Sequence, residues 1–174
     1  MARLTKQDWL KEGFKILAEF AQNKLRILYL CDRLQVTKGS FYHHFKNIDH
    51  YIAELMKAWE EENTLGFIEV ANKGQSPEDK MELLNSQVIQ ANQAVETSIR
   101  SWSFYHPVVK EYLNKVDKTR LAFLQGIFEE MGNDKTRSGY LAKLEYALLI
   151  GVQQLFPDIS RKEMEALYQV YLEE

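Results

Sequence analysis

The chain has 174 residues, 45% of them hydrophobic and 27% charged, which is enough to bury a sizeable core in one domain or in two small ones. The sequence has no apolar run near the ~20 residues of a membrane span and no apolar secretory signal after its first methionine, so we expect a cytoplasmic protein that contacts no membrane. Its single cysteine, Cys31, excludes an intramolecular disulfide and a multi-thiolate metal site.

The formal net charge of −3 is unevenly distributed along the chain. Residues 1–50 carry nine Lys or Arg against five Asp or Glu, whereas residues 51–174 carry thirteen against twenty. Three of the four histidines, His43, His44 and His50, lie in the basic part. Segregated charge of this kind can orient a protein on nucleic acid. Because a split of this size is common in proteins generally, it supports a DNA-binding motif but does not replace one.

Two helices are predicted before residue 35. The first begins at Thr5, a favourable N-cap, has Asp8 in its first turn and ends near Gln22-Asn23. Its apolar residues recur at helical spacing: Leu10, Phe14, Leu17 and Ala21. Trp9 is expected to pack at the periphery. A second, short helix is predicted by the i, i+3, i+4, i+7 spacing of Ile27, Leu30, Cys31 and Leu34.

The stretch 36–45 predicts a third helix with two chemically different faces. Thr37 is the expected N-cap, its hydroxyl accepting from the first turn, and Phe41 and Phe45 form an apolar stripe that continues to Val36. Hydrogen-bonding or cationic groups and a glycine occupy the other face: Lys38, Gly39, Ser40, Tyr42, His43 and His44. Such a face suits a phosphate backbone and base edges, although a surface helix without function is the alternative. A helix, a tight turn and a second helix with a polar outer face form a helix-turn-helix.

The sequence VTKGSFYHHFKN in this context resembles the DNA-binding signature of the TetR family of bacterial transcriptional regulators. The resemblance is specific over about Leu4–Leu55 and looser over 98–128 and 140–172. It implies an all-α fold of about nine helices, with a helix-turn-helix domain at 1–47 and an effector-binding and dimerisation domain at 48–174. It implies DNA contacts from Thr37, Lys38, Gly39, Ser40, Tyr42, His43, His44 and Lys46. Where the family usually has turn glycines, this chain has Gln22-Asn23 and Gln35.

A long connector helix is predicted from Ile48 towards Val70, followed by helices at 77–94, at 97–105 and from Pro107 to Met131. By resemblance, a small and largely hydrophobic effector would bind between the connector and the helices of 95–131. The candidate pocket residues are Trp59, Asn63, Phe67, Arg100, Trp102, Tyr105, Phe123 and Phe128. Each could instead be a core residue. For Arg100, Asp117 and Arg120 we favour an internal ion-pair network over contact with a ligand, because a charge near a core needs a partner.

The last two helices carry more apolar surface than one chain can cover. The resemblance implies that they pair with those of a second subunit in a two-fold homodimer. The residues expected at that interface are Leu141, Leu144, Leu148, Gly151, Val152, Leu155, Leu167, Tyr168 and Tyr171. The alternative is a helix that is fully buried within one chain.

The sequence therefore predicts a regulator that binds double-stranded DNA, acting as a repressor released from an inverted-repeat operator by its effector. The alternative is a dimeric protein-interaction module whose helix-turn-helix no longer binds DNA. An enzyme is not expected, since the sequence shows no Gly-rich phosphate loop, metal-ligand spacing or Ser/His/Asp set. No cofactor or metal is implied.

Overall fold

The fold was obtained as a computed structural model, which describes residues 4–173 apart from the side chains of Gln169 and of residues 171–173. Over that range the chain is all-helical, as predicted. Helix α1 spans Lys6–Phe20, α2 Ile27–Arg33, α3 Lys38–His44, α4 Ile48–Glu60, α5 Gly66–Ala71, α6 Pro77–Gln90, α7 Gln93–Ser103, α8 Pro107–Glu130, α9 Lys135–Leu155 and α10 Arg161–Glu173. A 3-10 turn covers Ala21–Lys24, and a π-helical segment, Glu61–Leu65, joins α4 to α5. Within the described residues, no helix has both the length and the apolarity to span a bilayer.

The chain divides into two compact units. The first unit consists of residues up to 61 together with 94–115, and the second of residues 62–93 together with those from 116 onwards. The first unit therefore holds α1 to α4 with α7, and the second holds α5, α6, α9 and α10. The division predicted from the sequence, a helix-turn-helix domain at 1–47 and an effector-binding and dimerisation domain at 48–174, is a division by function. The two units are defined by contacts between residues, so the functional division stays a prediction.

An aromatic cluster forms the core of the first unit. The side chains of Trp9, Phe41 and Tyr51 are fully buried and Phe45 is 1% exposed. The ring of Trp9 meets those of Phe41 and Phe45 edge to face, with centroids 5.4 and 6.3 Å apart. The expectation that Trp9 would be peripheral is therefore wrong. Its indole packs against Phe41 of α3 and against Phe45, the C-cap residue of that helix, and burial of aromatic area dominates core energetics.

Helices α1 and α4 approach closely at Gly13. The hydroxyl of Tyr51 donates to the carbonyl oxygen of Trp9 at 2.8 Å. A Cβ added at Gly13 would lie 2.1 Å from the Tyr51 oxygen, so only glycine fits beneath that ring. Burial raises the pKa of the Tyr51 hydroxyl. The first turns of α4 are thus fixed directly to α1, the helix against which α3 packs.

The second unit has a smaller core between α6, α8 and α9. Its buried residues are Met81, Leu124, Ile127, Ala142 and Tyr146. Helix α6 begins in a capping box, in which the Ser76 hydroxyl accepts from the backbone of Asp79 at 3.1 Å and the Asp79 carboxylate accepts from Ser76 at 3.2 Å. The helix begins at Pro77, the residue predicted from the sequence.

Helix α7 begins earlier than predicted. Helix α6 ends at Gln90, because the backbone of Ala91 is extended. Helix α7 then begins at Gln93 rather than near Thr97. Val95, Ile99 and Trp102 lie at i, i+4, i+7 and are all buried, so one apolar face runs along the whole helix. The hydroxyl of Ser98 donates to the carbonyl oxygen of Leu17 at 2.9 Å, which holds α7 against α1.

Candidate nucleic-acid interface

The turn between α2 and α3 is closed by the backbone. The Val36 N–H donates to the Cys31 carbonyl at 2.9 Å and the Gln35 N–H donates to that of Asp32 at 3.1 Å, which together make a Schellman motif. The motif requires a left-handed residue, and Gln35 supplies it at φ 55. The side-chain amide of Gln35 also donates to the Asp32 carbonyl at 2.7 Å. Gln35 therefore adopts the left-handed conformation for which such turns usually have glycine.

The turn between α1 and α2 places its left-handed residue at Ala21, with φ 51 and ψ −153. The sequence pointed to Gln22-Asn23 for this turn, because Asn tolerates positive φ well. The turn begins earlier than predicted, because α1 ends at Phe20 and a 3-10 turn follows at Ala21–Lys24. A non-glycine residue in this region of the backbone is strained.

Helix α3 is anchored by its inner face. Phe41 and Phe45 are buried against Trp9, and their own rings lie 5.2 Å apart. Thr37 occupies the N-cap with extended backbone, as predicted, but the Thr37 hydroxyl accepts no hydrogen bond from the first turn of this described helix. The predicted hydrogen bond of the Thr37 cap is therefore wrong, and Thr37 is exposed.

The outer face of α3 remains accessible. Tyr42 is 54% exposed, and its ring lies edge-on to the buried ring of Phe41, with centroids 5.5 Å apart. This contact restricts the orientation of the exposed phenol. Ser40 is half-buried. Four further predicted contact residues are exposed: Thr37, Lys38, Gly39 and His43. A Cβ at Gly39 would have its nearest neighbour, the Thr37 hydroxyl, at 3.6 Å, so this glycine leaves the helix surface open to a close approach from outside.

His44 lies at the edge of this face and is half-buried. Its Nε2 is 3.0 Å from the carbonyl oxygen of Leu4. His44 therefore also holds a part of the chain that is far from it in the sequence.

Lys46 is exposed just beyond α3, and its backbone is held in place. The Lys46 N–H donates to Nδ1 of His50 at 3.1 Å, and the Asn47 side chain caps α4 by accepting from the His50 N–H at 2.8 Å. This contact of His50 was not predicted from the sequence. The spacing of Asn47, an N-cap residue, three positions before His50 was the available signal for its role.

Ion pairs fix the helices of the first unit, and sequence reasoning missed them because their partners are far apart in the chain. Arg33 at the end of α2 donates to Glu12 at 2.8 Å and to Glu19 at 2.6 Å, both on α1. The hydrogen bond from Arg33 lowers the pKa of Glu19. Lys6 lies 2.6 Å from Glu54 of α4, and this hydrogen bond lowers the pKa of Glu54.

The predicted effector residues of the first unit differ in exposure. Trp59 is 1% and Trp102 6% exposed, so both are core residues in this structure. Arg100 pairs with Glu96 on the same helix at 2.9 Å. Tyr105 is 81% exposed beside Phe104, at the turn before α8.

The predicted effector residues of the second unit lie on α5, α8 and the π-helical segment. Phe67, Phe123 and Phe128 are half-buried, and the latter two pack against the core of that unit. The carbonyl oxygen of Asn63 accepts from Arg120 at 3.2 Å. Asp117 accepts from the Tyr146 hydroxyl at 2.6 Å, so Asp117 and Arg120 both have partners inside the protein.

The predicted dimerisation residues lie on an apolar surface formed by α9 and α10. Leu144, Leu148 and Leu155 are 65%, 43% and 74% exposed, and Leu167 is 45% exposed. Leu141, Gly151, Val152 and Tyr168 are half-buried. The side chain of Tyr171 lies outside the described residues. A Cβ at Gly151 would meet no atom within 4 Å among the residues that the structure describes, so there is space for a side chain at that position. Among the residues that the structure describes, no group of three His, Cys, Asp or Glu side chains could hold a metal ion.

Solved structures with the same architecture share little sequence with the chain. A TetR transcriptional regulator from Legionella pneumophila superposes with a TM-score of 0.78 at 14% identity, covering 97% of this chain and 98% of that one. A TetR transcription regulator from Haloarcula marismortui gives 0.76 at 15% identity, covering 97% and 94%. A protein assigned as a transcriptional regulator from Saccharomonospora viridis, in complex with choline, gives 0.77 at 13% identity, covering 97% and 95%. No protein-family model and no curated protein sequence matches the chain. At these identities the likeness establishes the fold.

Proposed function

Because the chain has the fold of TetR-family transcriptional regulators, we propose that it is itself a sequence-specific DNA-binding regulator. The observation that carries the proposal is the division of α3 into two faces. Phe41 and the C-cap residue Phe45 are buried, while Lys38, Tyr42 and His43 of the same seven-residue helix are exposed. A recognition helix needs this combination, since it must be rooted in the protein and still present donors and acceptors to a groove.

Contacts with the phosphate backbone are assigned to Lys38, Tyr42 and Lys46. All three are exposed, and the backbone of Lys46 is held by His50. Cations and hydroxyl groups on phosphates fix the position of a protein on the duplex but carry no sequence information. Ser40 and His43 are the candidates for base edges, because a hydroxyl and an imidazole can each donate to or accept from a base. The Thr37 hydroxyl and the open surface of Gly39 would allow close approach at the start of the helix.

A two-fold dimer is part of the proposal. The leucines of α9 and Leu167 of α10 form an exposed apolar stripe that a second copy of the chain could cover. Two recognition helices related by a two-fold axis enter successive major grooves about 34–36 Å apart, so the operator would be an inverted repeat.

Release by a small effector completes the proposed mechanism, with the protein acting as a repressor in the cytoplasm. An effector shifts a two-state equilibrium only by its differential affinity for the two states. Among the aromatic residues predicted from the sequence, Phe67, Phe123 and Phe128 are half-buried and suit a largely hydrophobic ligand. Thermal unfolding against a chemically diverse compound set tests this part, because a ligand that binds the folded state raises its stability.

Selection of bound genomic fragments, followed by mobility shift on the enriched site, tests the DNA-binding proposal. We expect an enriched inverted repeat that is bound more tightly than a shuffled duplex of the same composition. Binding should weaken steeply with salt, because phosphate contacts release counterions. Failure to bind any duplex at low salt would contradict the proposal and favour a protein-interaction module. The variant Phe104→Ser, at an 83% exposed position before α8, serves as a control that should bind DNA normally.

A further inference from the structure

The imidazole of His44 is engaged within the protein. Its Nε2 lies 3.0 Å from the carbonyl oxygen of Leu4, forty positions away in the sequence. A carbonyl oxygen can only accept, so Nε2 carries the hydrogen of this bond. The neighbouring His43 is exposed, and its ring meets that of His44 edge to face at 4.9 Å. Two adjacent histidines on one helix thus have different surroundings.

The segment that His44 holds is the beginning of α1. Thr5 and Asp8 form a capping box there, in which the Thr5 N–H donates to the Asp8 carboxylate at 2.8 Å. Lys6 reaches across to Glu54 of α4 at 2.6 Å, and its Nζ lies 5.9 Å from the centre of the Phe45 ring. The start of α1 is therefore fixed to α3 by His44 and to α4 by Lys6.

Helix α3 depends on such contacts for its orientation. It has seven residues, and a helix this short gains little stability from its own backbone hydrogen bonds. Its buried side anchors it at Phe41 and Phe45, but these residues alone leave it free to tilt about the line that joins them. The hydrogen bond from His44, the last residue of the helix, to Leu4 adds a further attachment, to the start of α1, and opposes such a tilt.

We propose that His44 is a positioning residue, which holds the start of α1 against α3 and so sets the orientation of the recognition helix. Reading of base edges falls to Ser40 and His43. The inference rests on the proposed DNA-binding function and deepens it, because it gives His44 a role within the protein in place of the DNA contact that the family resemblance implies.

Two conservative variants separate the possible roles of the ring. The amide nitrogen of His44→Gln lies near the position of Nε2 and can donate to the Leu4 carbonyl, whereas that of His44→Asn lies near Nδ1 and cannot. We expect the Gln variant to bind the selected operator within about 3-fold of the unsubstituted protein and to select the same sequence. The Asn and Ala variants should bind about 3- to 10-fold more weakly, the loss that one hydrogen bond usually represents.

Amide hydrogen exchange in the first turn of α1 provides a readout that does not involve DNA. Exchange at Thr5 and Asp8, whose N–H groups donate within the capping box, should accelerate in the Asn and Ala variants and stay unchanged in the Gln variant, because only the Gln variant keeps the start of α1 in place. Unchanged exchange in the Ala variant would overturn the inference. Recovery of affinity by Asn rather than Gln, or a changed base preference in the Gln variant, would also overturn it. If the unsubstituted protein binds no distinct site, the proposed function fails, while the exchange data still decide whether His44 holds α1.

Discussion

Arg120 of α8 donates from Nε to the hydroxyl of Thr64 at 3.0 Å, inside the π-helical segment Glu61–Leu65. The same guanidinium donates to the carbonyl oxygen of Asn63 and to the Tyr146 hydroxyl, each at 3.2 Å. Tyr146 in turn donates to Asp117 at 2.6 Å. Thr64 is 2% exposed, so Arg120 satisfies a hydroxyl group that water does not reach.

Replacement of Arg120 by methionine should therefore destabilise the second unit. Met keeps much of the side-chain volume but leaves the Thr64 hydroxyl and the Asn63 carbonyl without their donors. Hydrogen bonds from charged groups contribute about 1.5–3 kcal/mol, and we expect a loss of that order in the free energy of unfolding by urea. The matched control is Lys118→Met on the exposed side of the same helix, which should change stability by less than about 0.5 kcal/mol. Equal losses in both variants would contradict the proposed role of Arg120.

The backbone at Ala21 predicts a stabilising substitution. At φ 51 and ψ −153, an L side chain is strained by about 1–3 kcal/mol, whereas glycine adopts this conformation freely. Ala21→Gly should raise the free energy of unfolding by about 1 kcal/mol, after the greater chain entropy of the unfolded state is deducted. Ala18→Gly, inside α1, should lower it by about 1 kcal/mol. If both substitutions destabilise the protein, Ala21 is not strained. Denaturant titrations should use one protein concentration throughout, since dimerisation would otherwise shift the midpoints.

Gln35 allows a similar comparison, with its side-chain hydrogen bond as an added effect. Gln35→Ala loses the amide donor to Asp32 and keeps the left-handed strain, so it should destabilise by about 1 kcal/mol. Gln35→Gly loses the same donor but relieves the strain, which is about 1–2 kcal/mol for an L residue in this region. The glycine variant should therefore unfold at a higher urea concentration than the alanine variant. The reverse order would mean that the turn opens in solution.

Acid should weaken the link between α1 and α4. The hydrogen bond from Lys6 lowers the pKa of Glu54 in the folded protein. A depressed carboxyl pKa adds stability that is present above the unfolded pKa of about 4.3 and is lost as the pH falls through the folded value. Glu54→Gln should remove this part of the pH dependence, so that its stability approaches that of the unsubstituted protein as the pH falls through the folded pKa of Glu54. Glu69→Gln, at an exposed position of α5, should leave the unfolding curves at each pH nearly unchanged. A Glu54→Gln deficit that is the same at pH 7 and at pH 3 would rule out the ion pair as its source.

The sequence predicts those features of the fold that depend on local periodicity. Phe41 and Phe45 are four residues apart, and both are buried as predicted. Trp9 was misplaced because it precedes Leu10 in a first turn where either residue could face the core. Ala21 gives no sequence signal for positive φ, since its conformation is imposed by packing of the helices on either side.

In the candidate DNA-binding site, too, the sequence predicts what depends on helical periodicity and misses what depends on tertiary contacts. The exposed face of α3 follows from helix geometry once Phe41 is assigned to the core, and the exposures of Lys38, Tyr42 and His43 agree with it. The contact between His44 and Leu4 joins residues that only the tertiary structure brings together. Arg33, which bridges α2 to α1, was overlooked for the same reason.

The division of labour on α3 is tested most directly by the salt dependence of DNA binding in two variants. Lys46→Ala should weaken binding about equally on the operator and on a shuffled duplex, and should reduce the salt slope by roughly 1, because one phosphate contact is lost. His43→Ala should cost about 1–3 kcal/mol on the operator alone and leave the slope unchanged. Fluorescence anisotropy at four or more salt concentrations measures both quantities. Equal losses for both variants on both duplexes, with no change of slope, would contradict the account of α3 as a recognition helix.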